Sequence, residues 1–302
     1  MEPQLVAGPA PAGPATGNSS LQRRVSRFFS ARPKARLASL LTAPALWLVV
    51  LYIGSLVAMF MTSFYRLNED GTGIDKTFGT TNYHELVAVS VYRDIAVRTV
   101  GVAALVTVID MVLALPIAFF IAKLARPRLR ALLITAVLVP LWGSYLVKAF
   151  AWRALLGSPG GVLDKTFGAS PGYGLPAVVI VLAYLWLPYM IVPIYAGLDR
   201  LPDSLLEASN DLGAGFWLTF RSVVVPMLLP AIVAGSVFTF SLSLGDYIAV
   251  ELVGGPTQMI GSVVYANFAS NLPLAAAFAA VPILVMVVYL LGVRRTGALE
   301  NL

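Results

Sequence analysis

Six long apolar runs constrain this chain more than any motif in it: Leu40–Ser63, Ile95–Ala122, Leu132–Trp152, Pro176–Leu198, Val223–Gly245 and Leu274–Val293. A helix of about 20 apolar residues crosses the roughly 30 Å hydrocarbon layer of a bilayer. Inside lipid every backbone N–H and C=O needs a partner within the chain, so a spanning segment is a helix or part of a closed barrel. The runs do not alternate polar with apolar residues at period two, which removes the barrel. The expectation is an all-α membrane protein with six transmembrane helices. Composition agrees: 58% of residues are hydrophobic and 12% charged, with a mean hydropathy of +0.82, against roughly 25% charged in a soluble domain. The chain has no cysteine and a single histidine, His84. Disulfides, thiolate metal sites and most His-based chemistry are thereby excluded.

The net charge of +6 is spread over the ends of the apolar runs, a pattern of membrane orientation rather than a nucleic-acid footprint. Arg23, Arg24, Arg27, Arg32, Lys34 and Arg36 precede the first run. Lys123, Arg126, Arg128 and Arg130 join the second to the third, and Arg294 and Arg295 follow the sixth. With six spans these clusters share one side, which the positive-inside rule makes cytoplasmic, together with both termini. Glu69, Asp70, Asp75, Glu85 and Asp94 fall in the first loop on the other side. Residues 1–36 read as a disordered basic cytoplasmic tail, 37–295 as the six-span domain and 296–302 as a cytoplasmic tail. The first run is too long for a signal-peptide core and lacks a small-residue cleavage site, so it is expected to stay as an anchor.

Two connections are not simple loops. Residues 199–222 hold the polar set Asp199, Arg200, Asp203, Glu207, Asn210 and Asp211 between two charge-free spans, on the cytoplasmic side. Pro202-Asp203 opens a short helix, Ser204-x-x-Glu207 fits a capping box, and Gly213 is a natural left-handed stop. Phe216, Trp217 and Phe220 begin a second piece, and Pro226 is expected to start the climb into the membrane. A short helix with small residues suits a cleft on another protein. On the other side, residues 246–273 are apolar but interrupted by Gly254-Gly255-Pro256, and predict a short surface helix in a gate-like segment.

The first of these connections resembles the "EAA" loop of ABC-importer inner-membrane permeases: Glu-Ala-Ala, three residues, Gly, nine residues, Ile-x-Leu-Pro. The chain has Glu207-Ala208-Ser209, then Gly213, then Val223-Val224-Val225-Pro226. Further segments are similar to the spermidine/putrescine-type subfamily: Phe78-Gly79-Thr80-Thr81-Asn82-Tyr83, Pro116-Ile117-Ala118-Phe119, Val139-Pro140-Leu141-Trp142, Asp246-Tyr247, Leu252-Val253-Gly254-Gly255 and Met259-Ile260-Gly261. The resemblance runs from about Phe78 to Arg295. It implies a type I (MetI-like) importer permease in a prokaryotic inner membrane. It also implies a pair of ABC ATPase subunits contacted by Glu207, Ala208, Ser209, Gly213 and Pro226, a second six-span permease, an extracytoplasmic solute-binding protein and a polyamine cargo. No cofactor is expected on this chain. It has no Gly-x-x-x-x-Gly-Lys-Ser/Thr, so ATP and Mg would be used by the partner ATPase.

Candidate path residues come from misplaced polarity. Asp110 sits midway along the second run, where an ionisable group is costly. It reads as a counter-ion for a cation, a partner for another subunit, or an acid protonated against a neighbouring helix. Lys148 is expected to snorkel to the interface. Asp246, Tyr247 and Glu251 could meet a multivalent ammonium through carboxylates and a cation–π face, or be interfacial residues. Trp142 and Tyr145 could belong to an aromatic belt or turn inward past Pro140, and Trp152, Tyr184, Trp186 and Tyr189 enlarge the same aromatic population. Two other classes make different demands. A membrane-embedded enzyme of aspartyl type needs a second intramembrane carboxylate facing Asp110, and a passive channel needs no coupling loop.

Overall fold

The apolar runs fold as helices in the computed structural model, which describes residues 41–42, 44–68, 70–71, 73–157 and 160–295. The expected tails, 1–36 and 296–302, lie outside the described residues. Five single helices are long and apolar enough to cross a membrane, and one bent pair makes a sixth. The first, α1 (Pro44–Thr62), includes a π-helical stretch, Leu48–Ile53, and buries none of its residues. The described residues up to Met59 form a unit of their own.

From Phe60 onward the fold is built on three helices, α3 (Ser90–Leu124), α7 (Leu175–Arg200) and α9 (Phe216–Gly245), each packed on the other two. Lipid tails are as apolar as leucine, so membrane helices associate by close packing of small residues. On α3 the inward stripe Ala103, Val106, Asp110, Ala114, Ala118 is fully buried at spacings of three and four. On α9, a methyl group at Gly235 would lie 2.6 Å from the Met190 sulfur and 3.2 Å from Met190 Cα on α7. The two backbones therefore approach to a distance that glycine alone permits.

Around this core run α2 (Thr81–Ala88), which follows a two-residue hairpin (Arg66–Leu67 with Ile74–Asp75), and α12 (Leu272–Arg294). Asn82 Nδ2 donates to the carbonyls of Ser63 and Tyr65, both at 2.8 Å, fixing the entry to α2. The expected single third span is instead a bent pair, α4 (Pro127–Trp142) and α5 (Tyr145–Leu156), meeting at 95°. The break falls at Gly143-Ser144, directly after a turn containing Pro140. It leaves the last carbonyls of α4 without helical partners. Lys148 Nζ donates to one of them, Pro140 O, at 2.9 Å. Its ammonium thus caps the break, a role beyond the expected snorkelling. A short helix, α6 (Val162–Phe167), leads to α7.

The segment 246–273 holds two helices rather than one, α10 (Ile248–Val253) and α11 (Ile260–Asn267). Thr99 Oγ1 of α3 accepts from the Ile260 amide at 2.9 Å and seats α11 on the core. At the opposite end, α8 (Asp203–Asp211) bridges α7 and α9. Its N-cap is Pro202, and no side chain caps it. The Ser204 capping box is therefore not formed: Ser204 already lies inside the first turn, too late to reach the orphan amides as a cap. Two of the long helices end or begin near α8 with a π-helical turn, Phe120–Leu124 in α3 and Phe220–Val224 in α9.

Candidate functional site

Polar chemistry gathers at the two ends of the α3–α7–α9 core. At the end carrying Lys123 and Arg130, α8 lies against the helices by one face. Leu206 packs on the cluster that contains Leu198, Val224 and Leu228, and Ser209 is buried with its hydroxyl 2.8 Å from Thr219 Oγ1 on α9. The other face is open. Glu207 and Ala208 are exposed, and Leu205, Ala208 and Leu212, spaced i, i+3 and i+7, form an uncovered apolar stripe with Leu212 at 88% exposure. The helix stops where the sequence placed the stop. Gly213 has φ +78°, and its amide and that of Ala214 donate back to Asn210 O and Ser209 O. Pro226 does not begin a helix. It lies inside a helix continuous from Phe216, immediately after the π turn that absorbs its missing N–H and ring.

At the far end, Asp246 ends α9 and is 8% exposed. Its Oδ2 accepts from the Tyr145 hydroxyl at 2.5 Å and its Oδ1 from the Ala249 amide at 2.9 Å, so the carboxylate also caps α10. One residue beyond the span, burial holds this carboxyl above the usual carboxylate range, while the bond from Tyr145 and those from the backbone pull the other way. Tyr145 stacks on Trp186 (5.9 Å between centroids), and Tyr247 stacks on Tyr265 of α11 (4.8 Å). Tyr145, Trp186, Ser241, Asp246 and Tyr247 line an open cavity of about 310 Å³.

The structure thus joins three of the expected path residues, Asp246, Tyr247 and Tyr145, across 101 positions of sequence. It does not join the others to them. Trp142 is 91% exposed at the end of α4, Glu251 is exposed on α10, and Asp110 is fully buried inside the bundle with neither carboxylate oxygen bonded. Trp186 lines the cavity although its sequence position reads equally as core; its i, i+3 pairing with Tyr189 (5.8 Å) was the available signal. Lys123 and Arg130 read as orientation charges in the sequence, but both form ion pairs here, with Asp203 and Asp199. Among the described residues no group of three His, Cys, Asp or Glu could hold a metal ion.

This arrangement of helices superposes on chains of solved importers. A chain of a bacterial ABC transporter involved in the import of the acidic polysaccharide alginate superposes with a TM-score of 0.72 at 15% identity, covering 90% of this chain and 98% of that one. The MetNI methionine ABC transporter matches at 0.54 and 16%, over 67% and 93%. The fold is that of a MetI-like ABC-importer permease. Residues 96–296 match the family described as binding-protein-dependent transport system inner membrane component, and the chain belongs to it. The inner membrane ABC transporter permease protein YdcU of Escherichia coli (strain K12) is 40% identical over 299 residues, 92% of this chain and 95% of that protein. The spermidine/putrescine transport system permease protein PotB of Salmonella typhimurium (strain SL1344) is 30% identical over 267 residues, 84% and 91%.

Proposed function

We propose that this permease forms half of the translocation pathway of an ATP-driven importer, carries polyamines, and takes its energy from a separate ATPase pair through α8. The second half would come from another six-span permease, and solute would arrive on an extracytoplasmic binding protein. Such a partner is present in one alginate transporter structure of the same fold. The chain itself would do no catalysis. Both termini and α8 face the cytoplasm in this reading, which the clustering of Lys123, Arg126, Arg128 and Arg130 at the α8 end supports. The open stripe Leu205, Ala208, Leu212 beside Glu207 is the surface a nucleotide-binding partner would cover.

One observation carries the polyamine reading: the Asp246 carboxylate stands among Tyr145, Trp186 and Tyr247 at an open cavity. A carboxylate walled by aromatic faces suits an ammonium group, each aromatic contact contributing about 0.5–2 kcal/mol as water is excluded. Both oxygens already accept one bond, and each keeps a second lone pair for the cation. The likeness to PotB agrees. The test is uptake of labelled spermidine and putrescine by proteoliposomes holding the permease pair, ATPase and binding protein. Saturable ATP-dependent uptake supports the reading. Uptake of an anion or sugar instead would end it and leave the family assignment standing.

A further inference from the structure

The turn between α3 and α4 does more than mark the cytoplasmic side. Lys123, in the last, π-helical turn of α3, donates to the Leu201 carbonyl at 2.7 Å and to Asp203 Oδ1 at 2.6 Å. It therefore grips the joint where α7 ends and α8 begins. Arg130, in the first turn of α4, pairs with Asp199 in the last turn of α7. It also donates from Nε to the Tyr195 hydroxyl at 2.8 Å, with its guanidinium 5.3 Å from the centre of that ring. The opposite edge of α8 is held to α9 by the Ser209–Thr219 hydroxyl pair. The helix that bears the open stripe is thus fastened to α3, to α9 and, through the end of α7, to α4. From α4 the chain runs through the 95° break into α5, whose first residue, Tyr145, holds Asp246.

We propose that Lys123 and Arg130 are positioning residues for coupling: Lys123 clamps the start of α8 to α3 and Arg130 clamps the end of α7, where α8 hangs, to α4, so that displacement of α8 is delivered through the broken span to the Asp246 site. The proposal rests on the reading of α8 as the coupling helix. The carboxylate partners are open to solvent, Asp203 at 76% and Asp199 at 48%. Ion pairs this exposed add little to stability. What they supply is geometry: a guanidinium held by a carboxylate, a hydroxyl and an aromatic face has few other orientations. Transmission between sites requires an element that both can bias, and α4–α5, pinned at Arg130 and at Tyr145, touches both ends.

The native chain has no cysteine, so spin labels can be placed singly. Label pairs Asn210→Cys with Leu284→Cys, and Val147→Cys with Leu284→Cys, report α8 and α5 against α12 in the assembled complex, with and without ATP–vanadate. Wild type should shift both distances on trapping. In Lys123→Gln, Arg130→Gln and the double variant, the α8 shift should persist while the α5 shift falls by at least about half, with complex melting unchanged. Pairing Lys123→Asp with Asp203→Lys should restore part of the α5 shift. An α5 shift that survives in the double variant overturns the clamp alone, as does a wild type in which α8 moves and α5 stays. A wild type in which α8 does not move removes the coupling reading and the clamp with it.

Discussion

The two ends of the α3–α7–α9 core are built by opposite means. α8 is fastened by the Lys123–Asp203 ion pair, whose carboxylate is open to solvent, by one hydroxyl pair and by Leu206, with a second open ion pair at the end of α7, and it turns an apolar stripe outward. The Asp246 end hides its charge, bonds both carboxylate oxygens and surrounds them with aromatic rings. A surface held by weak, geometrically specific contacts can be displaced by a partner at small cost. A buried, bonded carboxylate keeps its position and offers a fixed field to a ligand. In the proposed function, the contrast is between a part that is pushed and a part that recognises.

The comparison is broken most completely by topology. Leu212→Cys should be untouched by an impermeant thiol reagent in intact cells, and Thr257→Cys fully labelled; the reverse pattern would exchange the roles of the two ends. Next in size are Gly213→Pro and Glu207→Lys. Proline locks φ near −65°, where Gly213 stands at +78°, and lysine reverses charge on the open face. Uptake in proteoliposomes should fall by about tenfold or more, roughly 1.4 kcal/mol of lost coupling, while the protein still inserts and assembles. Normal uptake by both variants would take the partner surface away from α8.

Asp246→Asn sharpens the other side. An uncharged amide keeps the shape and loses the attraction for a cation, so spermidine uptake should slow about fivefold, near 1 kcal/mol, with ATPase activity and assembly kept. Smallest of all is Asp110→Asn. Its oxygens have no partner among the described residues, and it does not line the cavity of the Asp246 site. Removing an unpaired buried acid should leave uptake within about twofold and the complex no less stable. A larger loss of uptake with assembly intact would put Asp110 on the path.

Span number and α8 were legible in the sequence because each rests on local chemistry: twenty-residue apolar runs, and a polar helix ended by glycine. The break in the third span was only half legible. Pro140 and Gly143 were visible, but membrane helices tolerate both. The Lys148 ammonium reaches the Pro140 carbonyl at the break, a contact the charge alone did not reveal. The capping box failed for the opposite reason, a local pattern overruled when Pro202 took the cap position. Tyr145 with Asp246, and Lys123 with Asp203, are long-range pairs, and no spacing in one sequence announces them.

The π turn at Phe220–Val224 has a consequence for the register of α9. Such a turn houses one residue more than its α-helical counterpart. Deleting that residue would let the turn close as an ordinary α-helical one and leave the phase of the helix beyond it unchanged. A deletion in the α-helical stretch that follows is different: at 3.6 residues per turn it would rotate everything beyond it by about 100°. Asp246, at the far end of the same helix, would then swing away from Tyr145 while α8 stayed seated. The π turn is thus a place where α9 can give up a residue near α8 and keep the aim of its far end.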